Sequence, residues 1–394
     1  MIWDSQLPPM SDCYHNLTRL IIRDIGKLKY LFPSSMVKNF KQLQHLEIRS
    51  CKELKEIVTK ERVEASPAFI FPRVEFLQLG NLPELTSFYP GIHTSKWPKL
   101  KKLQVHSCDK LQVSTSQCKV VFPNLEALEL EAINSQMIRD SQLPPISDCY
   151  RNLTRLIIKV IGKLKYVFPS SMVKNFEHLQ HLEIRYCMEL KEIVAKEGVE
   201  APPTVIFPRI EFLQLANLPE LTTFYPGIHT STWPVLKKLV VSNCHKLHIC
   251  TSEYKVVFPN LEHVNLQAIN SQMIWDSQLP PMSDCYHNLT RLIISDIGKL
   301  KYLFPSSMVK SFKQLQHIEI RSCQELKEIV AKEGAEALPT FIFPRVEFLK
   351  LGNLLELTTF YPGTHTSEWP KLKKLQVYSC DKLHIFTSQY KAIN

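Results

Sequence analysis

A phrase of 22 residues, "MIWDSQLPPMSDCYHNLTRLII", begins at Met1 and returns almost unchanged at Met137 and Met273, at a constant interval of 136 residues. Each interval divides further. The stretches "NLTRLIIRDI", "QLQHLEIRSC", "RVEFLQLGNL", "KLKKLQVHSC" and "NLEALELEAI" share the pattern L-x-x-L-x-L-x-x followed by Cys, Ile or Leu. Their first apolar residues are Leu17, Leu43, Val74, Leu100 and Leu125, spaced by 26, 31, 26 and 25 residues, with 28 more to Leu153. Leu179, Ile210, Leu236, Leu261, Leu289, Leu315, Val346 and Leu372 continue the series to 14 copies. A short phrase repeated with so little drift must bury the same face in the same way each time, so the copies have to stack on one another.

The pattern says how. Alternation over L-x-L makes a short strand with one apolar face. One strand cannot cover that face, so neighbours lie side by side in a parallel sheet while the rest of each phrase returns on the other side. Periods of this length with this pattern mark a leucine-rich repeat. The expected fold is α/β: a leucine-rich-repeat solenoid curved as a horseshoe, with a parallel β-sheet on the concave face and irregular loops and short helices on the convex face. Residues 1–394 form one array built from duplications 1–136, 137–272 and 273–394. Fourteen strands would give an inner face roughly 60 Å long.

A second ladder accompanies the first. Three residues before each repeat start stands an aromatic: Tyr14, Phe40, Phe71, Trp97, Phe122, Tyr150, Phe176, Phe207, Trp233, Phe258, Tyr286, Phe312, Phe343 and Trp369. Stacked at the corner into each strand they should form a spine, each buried ring contributing about 1.5–3 kcal/mol. Proline after the aromatic in "FPRVEFL", "WPKLKKL" and "FPNLEAL" fixes the chain as it turns. "FPSSMVKNF" reads as one or two helical turns capped by Ser34 or Ser35. "VTKERVEASPAFIF" reads as a loop, since its charges and proline fit no core.

Hydrophobic residues make up 44% of the chain, which supplies a core, and only 10 glycines leave no Gly-rich phosphate loop. The net charge of +10 would suit an acidic partner, a nucleic acid or a membrane surface. Lys and Glu instead alternate, as in "CKELKEIVTKERVE", which reads as a solvated face. The expected partner is therefore protein, with no nucleic acid and no membrane; no segment reads as a signal peptide or bilayer span. Eleven cysteines, mostly at repeat-locked positions, read as buried thiols in a reducing, cytoplasmic compartment. The sequon "NLT" at Asn16, Asn152 and Asn288 points the other way, but one duplicated tripeptide counts once.

Two clusters invite a chemical reading. "CHKLHIC" offers Cys244, His245, His248 and Cys250 as zinc ligands, but the equivalent residues elsewhere are Cys108, Asp109, Gln112 and Ser114, or Cys380, Asp381, His384 and Phe386. Cys244 is better read as an inward thiol, and no metal or cofactor is expected. His45, Glu47 and Arg49, with His181 and Glu183, and His317 and Glu319, could do acid–base work; they fall on an open outward face with no pocket to shift a pKa, so no enzyme activity is expected.

The outward positions of the sheet are the third, fifth and seventh residues of the pattern. One lateral column there is basic and aromatic: Arg19, His45, Phe76, Lys102, Arg155, His181, Phe212, Lys238, Arg291, His317, Phe348 and Lys374. Phe and Arg are typical interface anchors, which makes this column the candidate partner-binding site. A Phe half-covered by neighbouring long side chains is the plainer alternative. Framework positions exchange only Leu, Val, Ile or Met between copies, while outward ones change in kind, as in Gln104/Val240/Gln376, His106/Ser242/Tyr378, Arg23/Lys159/Ser295 and Glu129/Asn265. Relaxed constraint and altered recognition explain this equally well.

"FPNLEALEL", "NLTRLIIRDIGKLKYLFPSSM", "QLQHLEIRSCKELKEIV" and "FPRVEFLQLGNLPELTSF" resemble, over essentially the whole chain, the leucine-rich-repeat region of plant coiled-coil nucleotide-binding disease-resistance proteins. The resemblance implies the recognition part of an intracellular immune receptor, whose repeats sense a pathogen effector or guarded host protein and hold a nucleotide-binding switch off. No G-x-x-x-x-G-K-(S/T) phosphate loop accompanies it; "IGKLKY" lacks the first glycine and the hydroxyl. Met1 occupies an internal repeat position and "QYKAIN" breaks off within one, so a segment of a longer receptor or a shortened product is expected, without polar caps. A generic scaffold or decoy, or an extracellular receptor segment, is the alternative.

Overall fold

The structure, a computed structural model, describes residues 14–37, 39–59, 69–89, 93–112, 118–133, 150–196, 207–226, 229–248, 254–269, 286–309, 312–331, 340–362, 366–384 and 391–393. Met1, Met137, Met273, Ser114, Cys250 and Phe386, with most of the opening phrase and its returns, lie outside these residues. The chain forms two compact units, Met1–Glu197 and Gly198–Asn394.

Each unit is a parallel β-solenoid. In the first, five-residue strands Arg19–Arg23, His45–Arg49, Phe76–Gly80, Lys102–His106, Ala127–Glu131, Arg155–Lys159 and His181–Arg185 pair in sequence order without slippage. The second runs through Phe212–Ala216, Lys238–Ser242, His263–Gln267, Arg291–Ser295, His317–Arg321, Phe348–Gly352 and Lys374–Tyr378 in the same way. Register is fixed because slipping by one residue would turn the buried Leu46, Ile48, Leu77 and Leu79 out to solvent.

The aromatic spine is present, and its spacing has a local cause. In most copies the carbonyl of the ring residue accepts the N–H three residues on, as in Leu17 to Tyr14 (3.1 Å), Leu100 to Trp97 (3.2 Å) and Leu153 to Tyr150 (3.1 Å), closing a turn that delivers the chain into the strand. Stacked rings follow, with centroids 4.2 Å apart for Phe71–Trp97, 5.1 Å for Tyr150–Phe176 and 4.3 Å for Phe207–Trp233. Rings from the return side pack against them, including Phe88, Phe168 and Phe224.

A feature not expected from the sequence closes each strand. The residue after it lies in the left-handed region in every copy, from Asp24 (φ 59°), Ser50 and Asn81 through Val160 (φ 56°) and Tyr186 to Ser379. Asp and Asn suit this conformation best, whereas a β-branched residue such as Val160 is an outlier in it. The kink turns the next residue inward, where Cys51, Cys108, Cys187, Cys244, Cys323 and Cys380 are buried.

The return side is more regular than expected. Tyr30–Pro33 pairs in parallel with Glu56–Thr59, Tyr166–Pro169 with Glu192–Ala195 and Tyr302–Pro305 with Glu328–Ala331. Phe69–Ile70 and Thr340–Ile342 are strands too, so the end of the expected loop "VTKERVEASPAFIF" is extended, and its middle lies outside the described residues. Four-residue runs are too short to show a period, yet identical phrases one coil apart align them for pairing.

The short helices occur, as Ser34–Val37 and Ser306–Val309 and a 3-10 helix at Ser170–Phe176. The expected serine cap does not. Pro169, extended at the end of its strand, occupies the cap position of the 3-10 helix and no side chain caps it; Ser34, likewise, is already the first helical residue after the strand ending at Pro33.

Candidate recognition surface

The strand register assembles the predicted column. Arg19, His45, Phe76, Lys102, Ala127, Arg155 and His181 are successive Cα partners in the first unit. Phe212, Lys238, His263, Arg291, His317, Phe348 and Lys374 are so in the second. Ala127 and His263 complete the rows that the sequence reading left open. Arg and Lys are exposed, while His and Phe are half-buried.

The phenylalanines do not stand free in water. Phe76 is stacked on His45 with centroids 4.4 Å apart, and Lys102 Nζ lies 5.5 Å from its other face. Phe348 sits in the same way between His317 at 4.3 Å and Lys374 at 5.5 Å. Lys238 covers Phe212 at 5.2 Å. Phe76 and Phe348 are thus each held by a flat ring contact and a cation–π contact, leaving an apolar edge framed by positive charge, and Phe212 has the cation–π contact.

The neighbouring column corrects the expectation of an open face around His45, Glu47 and Arg49. Glu47 is only 3% exposed, and Glu183 and Glu319 are 6% and 9% exposed, although all three point away from the core side of the sheet. Basic side chains from their own strands, joined by Arg23 from the preceding strand at Glu47 and Lys350 from the following one at Glu319, close over them. Arg23 donates to Glu47 Oε1 from Nε (3.0 Å) and Nη2 (2.6 Å), Arg49 Nε lies 2.7 Å away, and His45 Nε2 is 3.6 Å from Oε2. Burial by itself would raise the Glu47 pKa, but the hydrogen bond from Arg23 and the charges of Arg49 and Arg23 outweigh it and hold the carboxyl below 4.5. Glu319 is lowered in the same balance, with burial opposed by Lys350 and Arg321. His181 and His317 are pushed below 6.5, chiefly by burial and then by Arg155 and Arg291, so both rings are neutral at pH 7. An ionised carboxylate already clamped by two cations serves to position side chains on the surface.

Outward positions change between copies in matched groups. Gln104 Nε2 donates to Glu129 (2.7 Å) and Lys159 Nζ to the same carboxylate (3.0 Å); the counterparts Val240, Asn265 and Ser295 are all uncharged, so carboxylate and cation are lost together. Arg23 and Gln78 flank Glu47, whereas Ser295 and Lys350 flank Glu319, so the second cation has moved from the preceding strand to the following one, where Lys350 Nζ is 2.9 Å from Glu319. Gly80 pairs with His106, Gly352 with Tyr378 and Ala216 with Ser242. A Cβ on either glycine would run into the ring of its neighbour, so the methyl returns only where the neighbour is small. These exchanges are compatible with packing and charge balance between neighbouring strands.

Cys244 is a buried thiol, donating to the Ser242 carbonyl (3.3 Å) with its pKa pushed by burial up to about 12. Among the described residues no three His, Cys, Asp or Glu side chains converge as metal ligands. The alternating charges away from the column pair coil to coil, as in Lys110–Glu84 (2.7 Å), Lys246–Glu220 (2.8 Å) and Lys382–Glu356 (2.6 Å). Such exposed pairs contribute little to stability.

Known proteins share the repeat pattern. A probable disease resistance protein of Arabidopsis thaliana is 30% identical over 102 residues, and disease resistance protein RPS5 of the same plant is 33% identical over 107 residues. Each alignment covers 26% of this chain and 11% of the relative, so the chain matches about a tenth of those proteins' length. Solved structures with similarity include the mouse RP105/MD-1 complex, at TM-score 0.27 and 13% identity over 84% of this chain and 75% of that one. Another is the TLR13–ssRNA13 complex, at TM-score 0.27 and 14% identity over 93% and 68%. The profile described as "Plant disease resistance protein RPS2-like, leucine-rich repeats" matches residues 1–118, 124–254 and 260–392. Those three blocks take in nearly all of the coils described above, and the chain belongs to that family of leucine-rich repeats.

Proposed function

We propose that this chain is the protein-recognition segment of an intracellular plant immune receptor, and that the columns from Arg19 to His181 in the first unit and from Phe212 to Lys374 in the second are its partner-binding surfaces. The partner is a pathogen effector or guarded host protein with acidic and apolar groups on one face, or the nucleotide-binding module of the same or a related receptor. The observation that carries this reading is the caging of Phe76 and Phe348 between a histidine and a lysine, which presents an apolar edge flanked by positive charge. Matched exchanges beside that column support it, since they vary the surface while keeping each strand pair compatible. A cytoplasmic setting is supported by six free, buried cysteines among the described residues and by the sequon Asn152, whose amide nitrogen already donates to the Pro123 carbonyl (2.9 Å).

Phe212→Glu tests the column. It puts a carboxylate in the cation-framed row, leaves every framework leucine in place, and is expected to lose partners captured from plant lysate with melting unchanged. Phe207→Ala, which removes a spine ring, serves as the contrast and is expected to cost about 3–5 kcal/mol of stability. Retention of every partner by Phe212→Glu would place recognition elsewhere.

A further inference from the structure

The second duplication carries a feature that the first and third lack. Val160, Tyr186 and Met188 are 46%, 48% and 54% exposed. Val160 and Tyr186 are the left-handed residues that end adjacent strands, tied by the Val160 N–H to the Arg185 carbonyl (2.9 Å), and Met188 follows two residues later. The same places hold Asp24, Ser50 and Lys52 in the first copy and Asp296, Ser322 and Gln324 in the third. A polar edge has therefore become apolar in one copy alone, at residues the fold does not bury.

Two further observations mark this edge as a surface for a ligand. Valine is among the least suited residues for φ near +56°, where the other copies keep aspartate, so the exchange works against local backbone preference. Its flank has also exchanged charge for apolar surface: Asp24 and Lys52 of the first copy are Val160 and Met188 here, with Glu189 retained. "DIGKLK" at residues 24–29 and 296–301 carries an acid beside its two lysines, whereas "VIGKLK" at 160–165 carries none. Lys163 and Lys165 are both exposed. The patch stands at the ends of strands that start at Arg155 and His181, roughly 15 Å from the proposed column at the rise of a β-strand.

We propose that Val160, Tyr186 and Met188, rimmed by Lys163 and Lys165, form a second docking surface for a protein segment in which an apolar or aromatic side chain is flanked by aspartate or glutamate. Apolar side chains supply the contact area, and the lysines select acidic flanks over basic ones. Exposed apolar residues scattered singly carry no such meaning; three at neighbouring positions, replaced together, do.

The test uses the full chain and a fluorescein-labelled synthetic peptide alternating aspartate with phenylalanine, read by fluorescence anisotropy. Its control has lysine in place of each aspartate. The wild type is expected to bind the acidic peptide and not the basic one, less tightly as salt is raised. The triple variant Val160→Asp, Tyr186→Ser, Met188→Lys restores residues the first copy carries at these places, so it should melt at or above the wild-type temperature. It should bind the acidic peptide at least about tenfold more weakly, the scale set by losing a central apolar contact. Equal binding by the triple variant, equal binding of the basic peptide, or no binding by the wild type would each overturn the proposal. Concentration-dependent dimerisation that the triple variant abolishes, without peptide binding, would show a second copy of the chain to be the occupant instead.

Discussion

Glu47 shows how much a single position can hide. Alternation along a strand assigns a side chain to a side of the sheet but says nothing of how deeply its neighbours cover it. The sequence nonetheless held a trace: "HLEIR", "HLEIR" and "HIEIR" keep Glu47, Glu183 and Glu319, whereas the outward Arg23, Gln104 and Glu129 are replaced in kind in other copies. Because the Glu47 pKa is lowered in the folded state, its stabilisation is present above 4.5 and is lost as pH falls through the folded value. Glu47→Gln is therefore expected to destabilise by about 1–3 kcal/mol at pH 7, with Arg23 and Arg49 left to find water. The gap between wild-type and variant melting should shrink below pH 4.5; a gap independent of pH would mean that packing, not charge, is what the carboxylate supplies.

Strands were legible because their period is written fourteen times, and the spine because an i to i+3 turn fixes the aromatic relative to the first leucine. Return-side sheets were not legible, since they depend on pairing between coils and not on any pattern within one. The left-handed residue after each strand was equally hidden, for Asp24, Ala132, Val160 and Tyr186 share no side-chain chemistry. What passes between strands is best tested at Gly80 and His106. Gly80→Ala alone should push the imidazole off its neighbour and cost about 1 kcal/mol. Gly80→Ala with His106→Ser recreates the Ala216–Ser242 pair and should recover most of that loss. Additive effects in this double-mutant cycle would deny the coupling.

Across the molecule, cover differs from coil to coil. Leu20 and Ile22 in the first described strand are half-covered, where the equivalent Leu46 and Ile48 are fully buried. In the second unit Leu375 and Val377 are 43% and 40% exposed, whereas Leu349 and Leu351 are buried. Hydrogen exchange should therefore open Arg19–Arg23 before Phe76–Gly80, and Lys374–Tyr378 before Arg291–Ser295. Equal protection within either unit would show that something covers those strands in solution.

The matched neighbours also govern how such a gene can be rearranged. Three near-identical copies at 136-residue intervals are natural partners for unequal recombination, and an exchange of whole copies changes coil number without disturbing any pair. A crossover falling between Gly352 and Tyr378, with the donor in the second copy, would set the Ala216 methyl against the Tyr378 ring; one falling between Glu129 and Lys159 would leave a carboxylate facing the serine of the third copy. Breakpoints are thus filtered by side chains one coil apart, and the surviving arrays inherit surface residues as linked sets, the way alleles travel on a haplotype.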